Sequence, residues 1–390
     1  MTYLDHAATT PMLPEALAAM TAELGRVGNP SSLHGSGRAA RRAVEESRES
    51  IAAALGCRPG DVVFASGGTE ADNLAVKGLY WARHGADPRR RRVLISAVEH
   101  HAVLDPAQWL ADTQGAQLEV LPVDSLGRLA PETLAAAIER DPASVALVSV
   151  MWANNEVGTV QPVAELAAVA HAHDVPFHSD AVQAIGGVPV DFAATGVDAL
   201  TVTGHKIGGP LGVGALVLAR GTLPVPLLHG GGQERDIHSG TLDTPAIVGF
   251  AAAVSNVVRD LDTHAAHVSG LRDALLAGVQ RVVPDAVANG DPVHRLPGNA
   301  HFSFPGCEGD SLLMLLDARG IECSTGSACS AGVARPSHVL LAMGADEDTA
   351  RSSLRFSLGH TSIEADVEAL LEALPPVVER ARRAGALGRR

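Results

Sequence analysis

Between Asp61 and Ala219, seven short runs rich in β-branched and aliphatic residues alternate with helix-like, Ala-rich stretches. The runs are DVVFAS, RVLISA, QLEVLPV, VALVSV, VPFHSD, DALTVTG and GVGALVLA. Apolar runs of strand length separated by helical periodicity call for a mainly parallel sheet covered by helices, and that constrains the fold more than anything else in the chain. Beyond HGGGQERDIHSGTL (229–242) the rhythm changes to a long Ala/Val-rich helical stretch reaching about Val282, then NAHFSFPG, DSLLMLLDARG and a terminal helical segment. The expected layout is an α/β domain over 16–258 and a smaller α+β domain over 259–390 that recruits the arm 1–15.

A formal charge of -14 opposes binding to nucleic-acid backbones or acidic membranes, and the basic clusters RRRR (89–92) and RARRAGALGRR read as solvated loop or tail. No apolar run has the length of a membrane span, and the start MTYLDHAATTP lacks a leader pattern, so a cytoplasmic enzyme is expected. The four cysteines, Cys57, Cys307, Cys323 and Cys329, are too scattered for a disulfide framework and form no CxxC pair. Any of them that acts must act as a thiol.

In open parallel sheets ligands gather at the carboxyl ends of strands, and three signals converge there. FASGGTEADN (64–73) runs from a strand through Gly67 and Gly68 into a helix start, where free N–H groups and the helix dipole favour a phosphate. A second strand ends on Asp180, either a helix cap or a carboxylate that keeps a ring nitrogen protonated. A third leads to Lys206, one of only two lysines among 30 basic residues. A lysine amine, unlike a guanidinium, can lose its proton and attack a carbonyl. Phosphate turn, carboxylate and lysine on one edge describe a pocket for pyridoxal 5'-phosphate.

The ordered motifs YLDHAATTP, GNPSSLHGSGR, SGGTEADN, EHHAVL, NNEVG, HSDAVQ, TGHK, HGGG, SGTL, STGSAC and SLRFSLG cover some 350 residues. Through them the chain resembles the cysteine desulfurases of the class V, fold-type I pyridoxal phosphate enzymes. The resemblance implies Lys206 as the Schiff-base lysine, Asp180 on the pyridine nitrogen and Gln183 on the ring hydroxyl. Gly68, Thr69, Thr203 and His205 would hold the phosphate, with Thr241 reaching the neighbouring subunit's phosphate in a homodimer. The family more often has Ser where Thr203 stands; a hydroxyl is kept. His100 would stack on the ring and move protons, while His101 is expected to be structural and no metal site is expected.

Arg355, helped by Asn155, would grip the carboxylate of L-cysteine. Cys329, among Ser, Gly and Ala in a loop spanning about 322–335, would take the sulfur as a persulfide, releasing alanine. The other three cysteines read as small buried hydrophobes. The loop has the longer form found in desulfurases serving iron–sulfur assembly and tRNA thiolation, which implies delivery to an acceptor protein. RRAGALGRR follows soon after the last helical segment, where some members carry a longer tail that binds the assembly scaffold, so different docking or another main acceptor is expected. A selenocysteine lyase or cysteine sulfinate desulfinase on the same scaffold stays open, as does a non-catalytic assembly platform, though a platform needs none of Lys206, Asp180, His100 and Cys329.

Overall fold

Every one of the seven runs is a strand in the computed structural model, which describes residues 1–326 and 336–388. After a short β1 (Thr2–Tyr3) come β2 (Val62–Ala65), β3 (Arg92–Ser96), β4 (Gln117–Leu121), β5 (Val145–Ser149), β6 (Phe177–Asp180), β7 (Ala199–Thr203) and β8 (Gly214–Leu218). The last seven form one sheet in the order β2-β8-β7-β6-β5-β3-β4. β8 runs antiparallel to β2 and β7, and the other pairs are parallel.

The near-continuous apolar character of these strands has a direct cause, since both faces of the sheet are covered. Val62 and Phe64 face a core with Ile51, Leu134, Leu166 and Phe250, whereas Val63 and Ala65 face another with Leu74 and Val103. Successive residues of one strand thus serve opposite faces. The RRRR run departs from its solvated reading: Arg92 opens β3, is buried, and donates to Glu119 Oε2 at 2.6 Å and to the Ala137 carbonyl at 2.7 Å. A guanidinium at a strand end can stay buried when its donors are satisfied.

The C-terminal part adds β9 (Val287–Asn289), β10 (Asn299–Ser303), β11 (Ile321–Glu322) and β12 (Ser353–Ser357), with an antiparallel sheet ordered β12-β10-β9. It carries a separate core of Leu275, Phe302, Phe304, Leu316, Phe356 and Leu370. The Ala/Val-rich stretch is two helices, Thr244–Arg259 and Leu261–Val282, broken at Asp260, a poor helix former whose side chain pairs with Arg259. Among the described residues no helix is long and apolar enough to cross a membrane.

The N-terminal arm joins the two halves. β1 pairs with β11 and Leu4 enters the C-terminal core, while Ala16 belongs to the core under the large sheet. Residues 5–13 therefore cross between the cores, over the carboxyl ends of β6 and β7.

Candidate active site

The carboxyl edge of the large sheet opens into a cavity of about 410 Å³. It is lined by Gly68, Thr69, His100, Asn155, Asp180, Gln183, Thr203, His205, Lys206 and Arg355, so ten of the predicted residues are brought together. Thr241 is exposed and does not line it. Cys329 lies outside the described residues.

At one end the helix Gly68–Ala86 points its first turn at the cavity, and its cap residue Gly67 offers no side-chain acceptor. The first-turn N–H groups are therefore left for a ligand, and a 19-residue helix carries a full terminal dipole. Glycine is required here. Gly67 sits at φ 155°, a Cβ on Gly68 would come within 2.9 Å of Val182 Cγ2, and one on Gly214 would come within 2.9 Å of the Gly67 carbonyl carbon. Glu70 steadies the turn: it accepts from Ser66 N at 2.6 Å and pairs with His238 at 3.0 Å, a bond that pulls its carboxyl down to about 2.

Deeper in the cavity, Asp180 is 5% exposed and its Oδ1 accepts from Val182 N at 2.8 Å. Among the described residues it makes no ion pair, and burial pushes its carboxyl up to about 6. A buried carboxylate without a cation is costly by itself and is relieved by a protonated ring nitrogen. Lys206 Nζ donates to the carbonyls of Ala7 (2.6 Å) and Ala8 (2.8 Å). Burial, then Arg355, bring its amine down to about 8, so about a tenth of it is neutral at pH 7, far more than for an ordinary lysine. The same burial, followed by Lys206, holds the rings of His100 and His205 near 4, hence neutral. His100 caps the helix His101–Gln114, its Nδ1 accepting from Ala102 N at 3.1 Å. His101 is half-exposed to solvent and pairs with Asp105 at 2.8 Å. The uncapped helix start, Thr69, Thr203, the unpaired Asp180 and the Lys206 amine together fit pyridoxal phosphate.

Opposite them, Arg355 of β12 reaches over, 4% exposed. It donates to Asp5 Oδ1 at 2.7 Å and to the Asn155 carbonyl at 2.8 Å, and its Nε has no partner. Several residues of the cavity were missed by the sequence reading although they stand in its motifs. Asp72 lines the wall four residues after Gly68, a spacing that puts both on one helix face; its buried carboxyl is raised by burial and then by Asp180. Ala7 and Ala8 act through backbone carbonyls, which no side-chain pattern reveals. Ser324 and Gly326 also line the cavity, three residues short of Cys329 in the latter case. The other thiols are inert: burial pushes Cys57 and Cys323 up to about 12 and raises Cys307.

Comparison with known proteins agrees with this geometry. The family described as Aminotransferase class-V matches residues 2–370. An IscS-like cysteine desulfurase of Mycobacterium tuberculosis is 59% identical over 98% of both chains. The cysteine desulfurase NifS of Azotobacter vinelandii is 40% identical over 97% of this chain and 93% of its own length. Among solved structures, a NifS-like protein superposes with a TM-score of 0.88 at 34% identity, covering 97% of this chain and 99% of the other. SspA in complex with cysteine gives 0.79 at 32% identity, covering 93% of this chain and all of the other.

Proposed function

The chain belongs to the class-V aminotransferase family and is a pyridoxal phosphate-dependent cysteine desulfurase, and from that premise we propose how its own residues divide the work. The first-turn N–H groups at Gly68 with Thr69, Thr203 and His205 would hold the phosphate, Asp180 would pair with the ring nitrogen, Gln183 with the ring hydroxyl, and Lys206 would bind the aldehyde. When bound, the cofactor supplies an electron sink for negative charge at the substrate α-carbon. His100, held neutral, would pack against the ring and relay protons.

Arg355 and Asn155 orient L-cysteine by its carboxylate, and the Lys206 amine takes the proton from the substrate Cα. The Cys329 thiolate attacks the substrate sulfur: a new S–S bond forms, the Cβ–S bond breaks, its electron pair is protonated at Cβ, and Lys206 returns the proton to Cα to leave alanine. One observation carries this assignment. Arg355 with a free Nε, Lys206 and Asp180 face one cavity that Gly326 also lines, and three residues from Gly326 reach about 10 Å, enough to bring Cys329 to the substrate.

The persulfide then passes to an acceptor protein, in iron–sulfur assembly or tRNA thiolation. A second copy of the chain completes the site through Thr241. Separate apolar cores support a division into 16–258 and 259–390 with 1–15, and the three free thiols among the described residues support a cytoplasmic location. The test is intact-mass measurement after incubation with L-cysteine without reductant. Wild type gains one sulfur and releases alanine; Cys329→Ser does neither. Alanine released equally by the variant, with no adduct, refutes the role of Cys329.

A further inference from the structure

Glu156 stands beside Asn155 in the motif NNEVG but does not line the catalytic cavity. It is 2% exposed, where a carboxyl group needs partners. Its Oε2 finds them at the base of the stretch that carries Cys329. After that stretch, Ser337 Oγ donates to Oε2 at 2.5 Å. Before it, a Cβ built on Gly326 would lie 3.6 Å from the same oxygen and 3.2 Å from His301 Nε2, so Gly326 rests against both side chains. His301 is buried and is the register partner of Arg355 in the pairing of β10 with β12. Gly326 and Ser337 therefore meet at one carboxyl, and chain length alone keeps Cys329 within about 10 Å of Gly326.

Each end is also fastened to the wall of the catalytic cavity. On the Gly326 side, Ser324 and Arg355 exchange backbone hydrogen bonds at 2.7 and 3.2 Å, and Ser324 Oγ accepts from Gly326 N at 3.0 Å. On the Ser337 side, Ser337 Oγ accepts from Leu340 N at 3.2 Å and so caps the helix His338–Ala342. His338 Nε2 donates to the carbonyl of Glu99, the neighbour of His100, at 2.9 Å. Glu156 itself is set by its own turn: its N donates to Asn154 Oδ1 at 2.9 Å, and the preceding Asn155 carbonyl accepts from Arg355 at 2.8 Å.

We propose that Glu156 is a positioning residue for the sulfur-transfer step, its Oε2 joining both ends of the Cys329 stretch to the grip of Asn155 and Arg355 on the substrate carboxylate. The two reacting sulfurs are thereby placed from one frame, the substrate's through its carboxylate and the enzyme's through the base of its stretch. The proposal rests on Cys329 as the sulfur acceptor and Arg355 as the carboxylate grip. Burial raises the Glu156 carboxyl. Charged or neutral, its oxygen accepts from the Ser337 hydroxyl, so glutamine keeps the joint and leucine breaks it.

Two rates measured on holoenzyme test this. One is deuterium uptake at Cα of saturating L-alanine in heavy water, read by NMR, which needs Lys206 and Arg355 but no thiol. The other is the gain of one sulfur from L-cysteine without reductant, read by quenched-flow intact-mass measurement. Glu156→Leu is expected to slow the sulfur gain at least about tenfold, where a reacting group misplaced by about 1 Å loses up to about 10²-fold, while deuterium uptake stays within about threefold of wild type. Glu156→Gln keeps both rates within about threefold, since the Ser337 hydroxyl retains an acceptor. Parallel loss of both rates in Glu156→Leu, no loss in either, or a glutamine variant as slow as the leucine one overturns the proposal. Cys329→Ser separates this failure from that of the underlying reading: alanine released from L-cysteine by that variant at the wild-type rate removes Cys329 from the reaction, and the proposal with it. Should Glu156→Leu not fold, Ser337→Ala removes the same bond from the other side and is judged by the same two rates.

Discussion

Arg48 and Arg355 are equally buried, at 3% and 4% exposed, yet they meet their carboxylates in different ways. Arg48 grips both oxygens of Glu234 at 2.7 and 2.8 Å, donates to the Val62 carbonyl and to Glu45, and lies over the Phe64 ring. Glu234 in turn accepts from Phe64 N at 2.9 Å. All three nitrogens are engaged, and the pair fastens the helix Gly35–Leu55 and β2 to the segment that leads to Thr241. Arg355 has one contact to Asp5, one to the Asn155 carbonyl, and an unpartnered Nε. A saturated guanidinium is framework; one with spare donors in a cavity is set to receive a planar anion.

The largest effect should come from breaking the saturated pair. Glu234→Gln leaves a buried arginine with only the half-exposed Glu45 as counter-charge and should destabilise the protein by about 3 kcal/mol, visible as a lower melting temperature in scans at fixed rate, with KM for L-cysteine nearly unchanged. Arg355→Lys should do the reverse. The fork is lost, kcat/KM falls by about 10²–10³, equivalent to roughly 3–4 kcal/mol of charge-assisted hydrogen bonding, and the melting temperature barely moves. Equal losses of stability from both variants would erase the distinction between the two arginines.

A pH experiment sharpens it further. The Lys206 amine attacks only when neutral, and burial sets its midpoint at about 8, so cofactor uptake by apoprotein should rise with pH through about 8 and then level off. The smallest effect belongs to Asp5→Asn. Asp5 favours the protonated amine, so its removal should move the uptake midpoint to lower pH and speed uptake at pH 7 by less than about threefold, as expected of a partly solvated charge. Stopped-flow absorbance reads both. A midpoint moving upward would mean that Asp5 acts on Lys206 chiefly through Arg355.

Much of this was legible in the sequence because it is local. Strand runs ending on Asp180 and at Thr203–Lys206, and a glycine turn opening a helix at Gly68, place their residues on one sheet edge through periodicity and topology alone. The helix break at Asp260 was hidden because Ala and Val on both sides continue the helical pattern. Arg92 was misjudged because a run of four arginines looks solvated until β3 pairs with β4 and Glu119 covers its end.

By itself, then, the sequence determined the sheet, its helices and the chemistry along the sheet's carboxyl edge, since spacing of 2 or 3.6 residues decides which side chains share a face. Only the tertiary structure decided what closes the cavity. The arm carbonyls around Lys206 lie 199 and 198 residues away in the chain, and Asp5 lies 350 residues from Arg355. Contacts of that separation follow from how two cores dock across a crossing arm, and no local pattern encodes them.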